Sequence, residues 1–486
     1  MPDTTSRPDS PLHRAARLSL LLAALFAAIP GKLSALETMA SSDPFDTRAI
    51  TPPRPALTLS GPDSADLPCR ALPADAAYGV LEVIDLALCK NPTTREVWSI
   101  ARVQAAQVGV AQSEFLPTLD GRLATSRVTI DSRSANQRSA ALTLSWLLVD
   151  FGARSANLEV ARQLLSAASA TLDSTVQSVF LGALQSYYNT QAARAAVTAA
   201  GESEKASRES LSAAEVRYRV GTGTPADRLQ AQTAWSQATL TRIRAEGVLR
   251  NAYGRLAKVM GLDANQALRL DEIPAAVPDA SFDRDVAELI VEARRQRPEM
   301  KAAEAELLAA QAGVDYARAS GLPTISLSAG PQWQDLGGLS TNGNSVGLTL
   351  SLPLFSGFNT TYNVRAAQAR SDVQAARLDS TSQQVALDVW EAYQSLTTAT
   401  QTIRTTADLL ASAEQSERVA LGRYKAGVGN ILDVLNAQSA LASARLQRIQ
   451  AMLDWRVSRA ALARAVGVLD GSLLLSVDAT WKAGKP

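Results

Sequence analysis

Apolar residues recur along this chain at two different spacings, and the two alternate in blocks. From about Gly152 to Val220 there is no proline, and Leu158, Leu165, Leu172 and Val179 recur at heptad spacing, with Val176 and Ala183 on the adjoining row. That is a helical period. At 1.5 Å per residue such a helix is roughly 100 Å long, too long for a compact globular domain, so the pattern predicts a coiled coil or an extended bundle. Gly221-Thr222-Gly223-Thr224-Pro225 breaks it, with Thr224 as N-cap and Pro225 in the first turn of a helix returning to about Met260. A second long helix is predicted from about Thr360 to Ala426, with a return from Ile431 to Val466. A shorter helix from Thr93 to Phe115 stops before Pro117.

Between these helices the period drops to two. Val346, Leu348, Leu350, Leu352 and Leu354 alternate with Ser345, Gly347, Thr349, Ser351 and Pro353. Ala140, Leu142, Leu144, Trp146 and Leu148 alternate with Ala141, Thr143 and Ser145. Each run follows another, Ile325 to Ala329 and, less cleanly, Leu119 to Ile130. Segments of about ten residues with one apolar and one small or polar face are the pattern of a transmembrane barrel strand. Leu142, Leu144, Trp146, Leu348, Leu350 and Leu352 are the expected lipid-facing residues, and Trp146, Trp333 and Phe355 suit an aromatic girdle. Four strands cannot stand alone in lipid, because their edges would leave backbone groups unpaired. Other chains must close the barrel; three chains would supply twelve strands.

The blocks occur twice. Pro92 and Pro298 lie 206 positions apart (298 less 92). The same shift aligns Leu116-Pro117-Thr118 with Leu322-Pro323-Thr324, and Leu142-Thr143-Leu144-Ser145 with Leu348-Thr349-Leu350-Ser351. It also aligns Tyr218-Arg219-Val220-Gly221-Thr222-Gly223 with Tyr424-Lys425-Ala426-Gly427-Val428-Gly429, and Asp227 with Asp433. Repeats are thus expected over residues 79–262 and 285–470, each ordered helix, two strands, long helix, turn, helix, and joined by a linker at 263–284. Residues 37–78 read as a Pro-rich arm, extended or disordered, and 471–486 as a tail. The fold class is mostly α with a small β part: a duplicated helical barrel continued by a transmembrane β-barrel.

Composition narrows the function. The chain has 486 residues, 46% hydrophobic, with a formal charge of +1, which does not suit a binder of nucleic-acid phosphates. Its single histidine, His13, lies in residues 1–36, where a charged start, an apolar run from Leu18 to Ile29 and Pro30-Gly31 follow the order of a secretory signal. Cleavage is expected between about 35 and 40. A mature chain without histidine cannot run a Ser-His-Asp triad or bind zinc through histidine, so no enzyme, metal site or cofactor is expected. No phosphate-binding loop occurs, so any energy must come from a partner. Cys69 and Cys89, the only cysteines, are a disulfide candidate in an oxidising periplasm, the alternative being two separate thiols.

The repeated unit, with Asn91-Pro92, the two Leu-Pro-Thr strand starts, Leu350-Ser351-Leu352-Pro353-Leu354-Phe355 and the two Tyr-x-x-Gly-x-Gly turns, resembles the TolC family of outer-membrane efflux proteins over nearly all of the chain after Tyr78. The resemblance implies a homotrimer in the outer membrane of a Gram-negative cell, with a long periplasmic part. It also implies a periplasmic adaptor (membrane fusion) protein and an inner-membrane transporter as partners. With no lipoprotein cysteine after the apolar run, the likeness leans to type I secretion through an ABC exporter, and to components that export an adenylate cyclase-haemolysin toxin. Multidrug or small-molecule efflux is the alternative; a periplasmic coiled-coil adaptor or scaffold, which the helices alone would also fit, is the second. The family's acidic constriction maps onto Asp433-Val434-Leu435-Asn436, where Asp433 keeps one carboxylate and Asn436 replaces the other. A ring of Asp433 would favour cations. The family's closing contacts map onto Asp227 and Tyr424, but the arginine position falls on Gly429, so the closing network is expected to be thinner here or to use Arg219, Arg423 or Lys425 instead. Gly221, Gly223, Gly427 and Gly429 permit positive-φ turns, and the resemblance makes them tips for adaptor docking.

Overall fold

The computed structural model describes residues 43–55, 77–130, 133–271 and 285–469. The expected signal segment with His13 and its expected cleavage site, Cys69, most of the expected linker and the C-terminal tail lie outside the described residues. The chain divides into two units, Met1–Ile50 and Thr51–Pro486. In the first, the Asp43 carboxylate closes a turn by accepting from the backbone N–H groups of Thr47 and Arg48 at 3.0 and 2.9 Å.

In the second unit the elements run β1 (Ala77–Tyr78), α1 (Val80–Lys90), α2 (Pro92–Ser113), β2 (Thr118–Ile130), β3 (Arg133–Val149), α3 (Ala153–Arg219) and α4 (Pro225–Val259). Then follow β4 (Arg269–Leu270), α5 (Val286–Gln296), α6 (Pro298–Ala319), β5 (Thr324–Leu336), β6 (Leu339–Ser351), α7 (Asn359–Lys425) and α8 (Ile431–Val466). The two long helices α3 and α7 have 67 residues each and start 206 positions apart, as do α1 and α5, α2 and α6, and β2 and β5. Local chemistry sets the boundaries. The Asn91 side chain caps α2 by accepting from Thr93 N–H at 2.9 Å, with Pro92 at the first position, where no helical N–H is needed. Where β3 turns into α3, the Asp150 carboxylate accepts from Gly152 and Arg154 N–H at 3.3 and 2.8 Å, and pairs with the buried Arg154 guanidinium at 3.0 Å.

The four long strands form one antiparallel sheet in the order β2-β3-β5-β6. Each repeat supplies a hairpin, and the hairpins meet along β3 and β5. Pro331 has no N–H for that seam. Beside it the backbone closes up so far at Gly330 that a Cβ would lie 1.8 Å from the Leu142 carbonyl oxygen. A second, parallel sheet of β1 and β4 was not expected: two-residue strands are too short to show alternation. It places Ala77 and Tyr78, assigned by sequence to the arm, against Arg269 and Leu270 of the linker. The arm also touches α2, where Trp98 Nε1 donates to the Pro52 carbonyl at 3.1 Å.

Two main cores lie where the short helices meet the long ones. One joins Val83, Ile84 and Leu88 of α1 to Phe180, Leu184 and Tyr187 of α3, with Leu256 and Met260. The other joins Leu289 and Ala293 of α5 to Val385, Val389 and Leu396 of α7, with Trp455 and Leu462 of α8. Smaller clusters elsewhere mix alanines with valines and leucines.

Candidate functional sites: an uncovered sheet face and two helical tips

The register of the sheet gathers its apolar positions onto one face. Leu119 pairs with Leu144, Trp146 with Leu327 and Ala140 with Trp333. Leu327, Ala329 and Ile325 pair in turn with Leu348, Val346 and Leu350. Leu142, Trp146, Val346, Leu348 and Leu350 are exposed, and Leu144 is half-buried. Leu352 is also exposed but lies just past the end of β6. The opposite face carries Thr143, Ser145, Ser328, Ser345, Gly347 and Thr349.

Trp146, level with Leu327, and Trp333 mark two ends of the apolar face, about 20 Å apart along the strands at 3.4 Å per residue. Beyond Trp333 the same face turns polar, with Arg138 opposite Asp335. Phe355 lies in the turn below β6, edge-on to Phe358 with centroids 5.6 Å apart. Among the described residues β2 and β6 each lack a partner on their outer edge. No helix among them is long and apolar enough to cross a membrane.

At the far end of the long helices the two tips share a small core of Leu211, Ala214, Ala231, Tyr424, Ile431 and Val434. Gly221 and Gly427 adopt φ of 80° and 79°, conformations that L side chains rarely take. Gly223 and Gly429 do not. They are tight instead because a Cβ would lie 3.1 Å from the backbone nitrogens of Tyr218 and Tyr424. Thr224 and Asp227 form a reciprocal capping box: Asp227 N–H donates to Thr224 Oγ1 at 3.1 Å, and Thr224 N–H to the Asp227 carboxylate at 3.0 Å.

The second tip departs from this. Asn430 accepts from Asp433 N–H at 2.8 Å, and the Asp433 carboxylate takes no hydrogen bond among the described residues. Asp433 and Asn436 are both exposed, three positions apart on α8. Tyr424 is buried and does not meet Asp227. Its ring lies under the Arg217 guanidinium, 4.7 Å from the centroid, and Arg217 also donates to the Tyr424 carbonyl at 3.0 Å. Within the chain, the cation at Tyr424 is Arg217 of the other repeat. A carbonyl contact between repeats leaves no motif in sequence.

A further polar cluster escaped the sequence reading. Buried Arg297 donates to Asp388 at 2.6 Å and to Glu299 at 3.2 and 3.3 Å. Glu299 also accepts from Ser174 of α3 at 2.8 Å, so the cluster joins the two repeats. The shift of 206 places Asn91, Thr93 and Gly182 at the equivalent positions, and that difference between repeats was its only sequence signal. Cys89 is buried in α1; with Cys69 outside the described residues, the disulfide stays an expectation. No group of three or more His, Cys, Asp or Glu able to hold a metal ion occurs among the described residues.

Burial pushes the Glu299 carboxyl up, but hydrogen bonds from Arg297 and Ser174 and the Arg297 charge outweigh it and hold the carboxyl below its ordinary value. A depressed folded value contributes stability that is present above the unfolded value and lost as pH falls through the folded one. The melting midpoint should therefore be flat above about pH 5 and fall in more acid solution, where unfolded glutamate at about 4.3 already holds its proton. Glu299→Gln should shrink that acid limb and lower stability at pH 7 by about 1–3 kcal/mol, since buried Arg297 loses charge-assisted hydrogen bonds while keeping Asp388. Equal slopes below pH 5 for both proteins would remove Glu299 from the account.

The profile of the outer membrane efflux protein family matches the chain twice, over residues 83–262 and 289–468. The chain is 34% identical over 473 residues to Protein CyaE of Bordetella pertussis, spanning 95% of this chain and 97% of that one. It is 26% identical over 412 residues to the solvent efflux pump outer membrane protein SrpC of Pseudomonas putida, spanning 80% and 85%. Its fold superposes on the Campylobacter jejuni CmeC outer membrane channel with a TM-score of 0.72 at 19% identity, covering 80% of this chain and 86% of that one. With both repeats matched by one family profile and a relative aligned almost end to end, the chain belongs to the outer membrane efflux protein family: a Gram-negative outer-membrane channel component and not an enzyme.

Proposed function

We propose that three copies of this chain close a twelve-stranded barrel in the outer membrane, continued by a helical tunnel across the periplasm, as the passive exit duct of a type I protein secretion system. The observation that carries the channel reading is the sheet: one face apolar and uncovered between two tryptophan levels, the other polar, and both edges unpaired. In water that face would be an aggregation hazard. In lipid it is the required surface, provided that neighbouring copies satisfy the edges. A periplasmic adaptor would not need such a face. Supporting type I secretion is the similarity to Protein CyaE, which is higher and longer than that to SrpC. Similarity to SrpC, a solvent efflux pump outer membrane protein, favours small-molecule efflux as the second reading. An adaptor and an inner-membrane ABC exporter would complete the assembly, with the tips at Gly221, Gly223, Gly427 and Gly429 facing the adaptor. The exposed, unbonded Asp433 carboxylate is the proposed constriction, with Asn436, Asp227 and Tyr424 around it.

Deleting the chain should abolish release of a large polypeptide into the medium while leaving solvent and drug tolerance unchanged. The reverse outcome would transfer the protein to the efflux reading. Leu350→Arg should sharply reduce heat-modifiable trimer in outer-membrane fractions, because arginine on a lipid face costs about 2–4 kcal/mol at the bilayer midplane. Normal trimer yield would mean that this face does not meet lipid. Asp433→Ala should lower cation selectivity of the purified channel in planar bilayers, read as a reversal potential moved toward zero under a salt gradient. An unmoved potential would place the constriction elsewhere.

A further inference from the structure

The two hairpins of the sheet share one alternation, yet their apolar faces differ. The shift of 206 equates Gly121 with Leu327, Ala140 with Val346, Arg127 with Trp333 and Arg138 with Asn344. The four residues of the first hairpin lie on the apolar face, since Gly121 pairs with Leu142, Leu123 with Ala140, Thr125 with Arg138 and Arg127 with Asn136. Relative to the second hairpin, the first thus has two small residues in place of bulky apolar ones. It also has two arginines where the second has a tryptophan and an asparagine.

The small residues leave a groove of about 590 Å³. Gly121, Ala140 and Pro331 form its floor, and Leu123, Leu142 and Trp333 its walls. Small-molecule sites span about 300–1,000 Å³, so the space suffices for part of a ligand and not merely for water. The groove follows an interruption of the seam, where no pair joins β3 to β5 between Ala141–Gln332 and Leu144–Ala329. Backbone geometry does not require glycine at Gly121: a Cβ there would lie 3.7 Å from Leu142 Cδ2, an ordinary contact. No charged side chain points into the floor or walls, so the occupant they suit is an aliphatic chain.

The two arginines stand at one end of this groove. Arg138 is one pleat beyond Ala140 on β3, about 7 Å along the strand. Arg127 is its diagonal neighbour on β2, about 7–8 Å away. Both are exposed, and neither makes a hydrogen bond or an ion pair among the described residues. Asp335 lies across the seam from Arg138 and is not paired with it. Two free guanidiniums at this spacing can close on one phosphate, each through a fork of N–H donors. Exposed Asn342 and Asn344, on the far side of the groove, add amides that suit hydroxyl groups.

We infer that the outward face of the first hairpin binds a phosphorylated glycolipid of the outer leaflet, one acyl chain in the groove and a phosphate on Arg127 and Arg138. The arginines stand towards the β2–β3 turn, at the strand ends away from the long helices. With the helices in the periplasm, that end meets the outer leaflet, whose lipids in a Gram-negative cell are glycolipids bearing phosphates. The inference rests on the barrel reading and deepens it. Each chain holds one such lipid, and the second hairpin holds none, because Leu327 and Val346 fill the equivalent space and the charges are gone.

The test titrates the full-length protein, purified from outer membranes and washed free of lipid in mild detergent, with diphosphoryl lipid A or with phosphatidylethanolamine. Bound copies are counted by native mass spectrometry. Lipid A should saturate at one copy per chain, and phosphatidylethanolamine should not. Arg127→Gln with Arg138→Gln should weaken lipid A binding about tenfold or more, the factor that one charge-assisted hydrogen bond supplies. Gly121→Leu, which installs the side chain of the second hairpin, should weaken it at unchanged oligomer yield, and Asp335→Asn should tighten it. Excess inorganic phosphate should leave the lipid in place; displacement would reduce the feature to an ion site and overturn the inference. Equal lipid A binding by the wild type and the double arginine variant, or equal uptake of phosphatidylethanolamine, would overturn the site and leave the barrel reading standing. A soluble monomer would overturn both.

Discussion

A backbone N–H or C=O in a hydrocarbon layer has no water to turn to, and each unpaired group there costs several kcal/mol. Most of this chain can be understood as the consequence of that constraint on a sheet of four strands. Among the described residues the sheet has two open edges, a face of leucine, valine and tryptophan, and an opposite face of serine, threonine and glycine. No arrangement of one chain satisfies the edges in lipid. The proposed closure by further copies follows from the edges, and the polar lumen follows from the alternation once the apolar face is turned outward.

Duplication answers the same constraint economically. A hairpin from each repeat meets its twin along β3 and β5, where Gly330 lets the backbones come close beside Pro331, and a long helical hairpin follows each. The repeats share their elements but differ in their ties. Ser174 of the first repeat donates to Glu299, which Arg297 holds together with Asp388 in the second, and Arg217 with Tyr424 binds the repeats at the tips. Their counterparts are neutral or otherwise engaged: Asn91 caps a helix and donates to Val259, and Tyr218 lies near Arg228. The single chain thus behaves as a clamped pair of near-copies. The near-symmetry breaks at the tips, where Asp227 commits its carboxylate to a capping box and Asp433 does not.

Sequence by itself determined the order of elements, the repeat shift of 206 and the sheet face that is apolar, because each rests on a local period that only a helix or a strand can satisfy. It also located both tip turns, since a positive φ at Gly221 and Gly427 follows from glycine chemistry. Tertiary structure alone decided which side chains meet. It set Arg217 against Tyr424, removed Asp227 from that contact, and brought Arg297 and Asp388 together from 91 positions apart. It also paired the two-residue strands β1 and β4. Such contacts depend on how helices of about 100 Å lie side by side, where a rotation of one residue changes every partner, and no local period encodes that rotation.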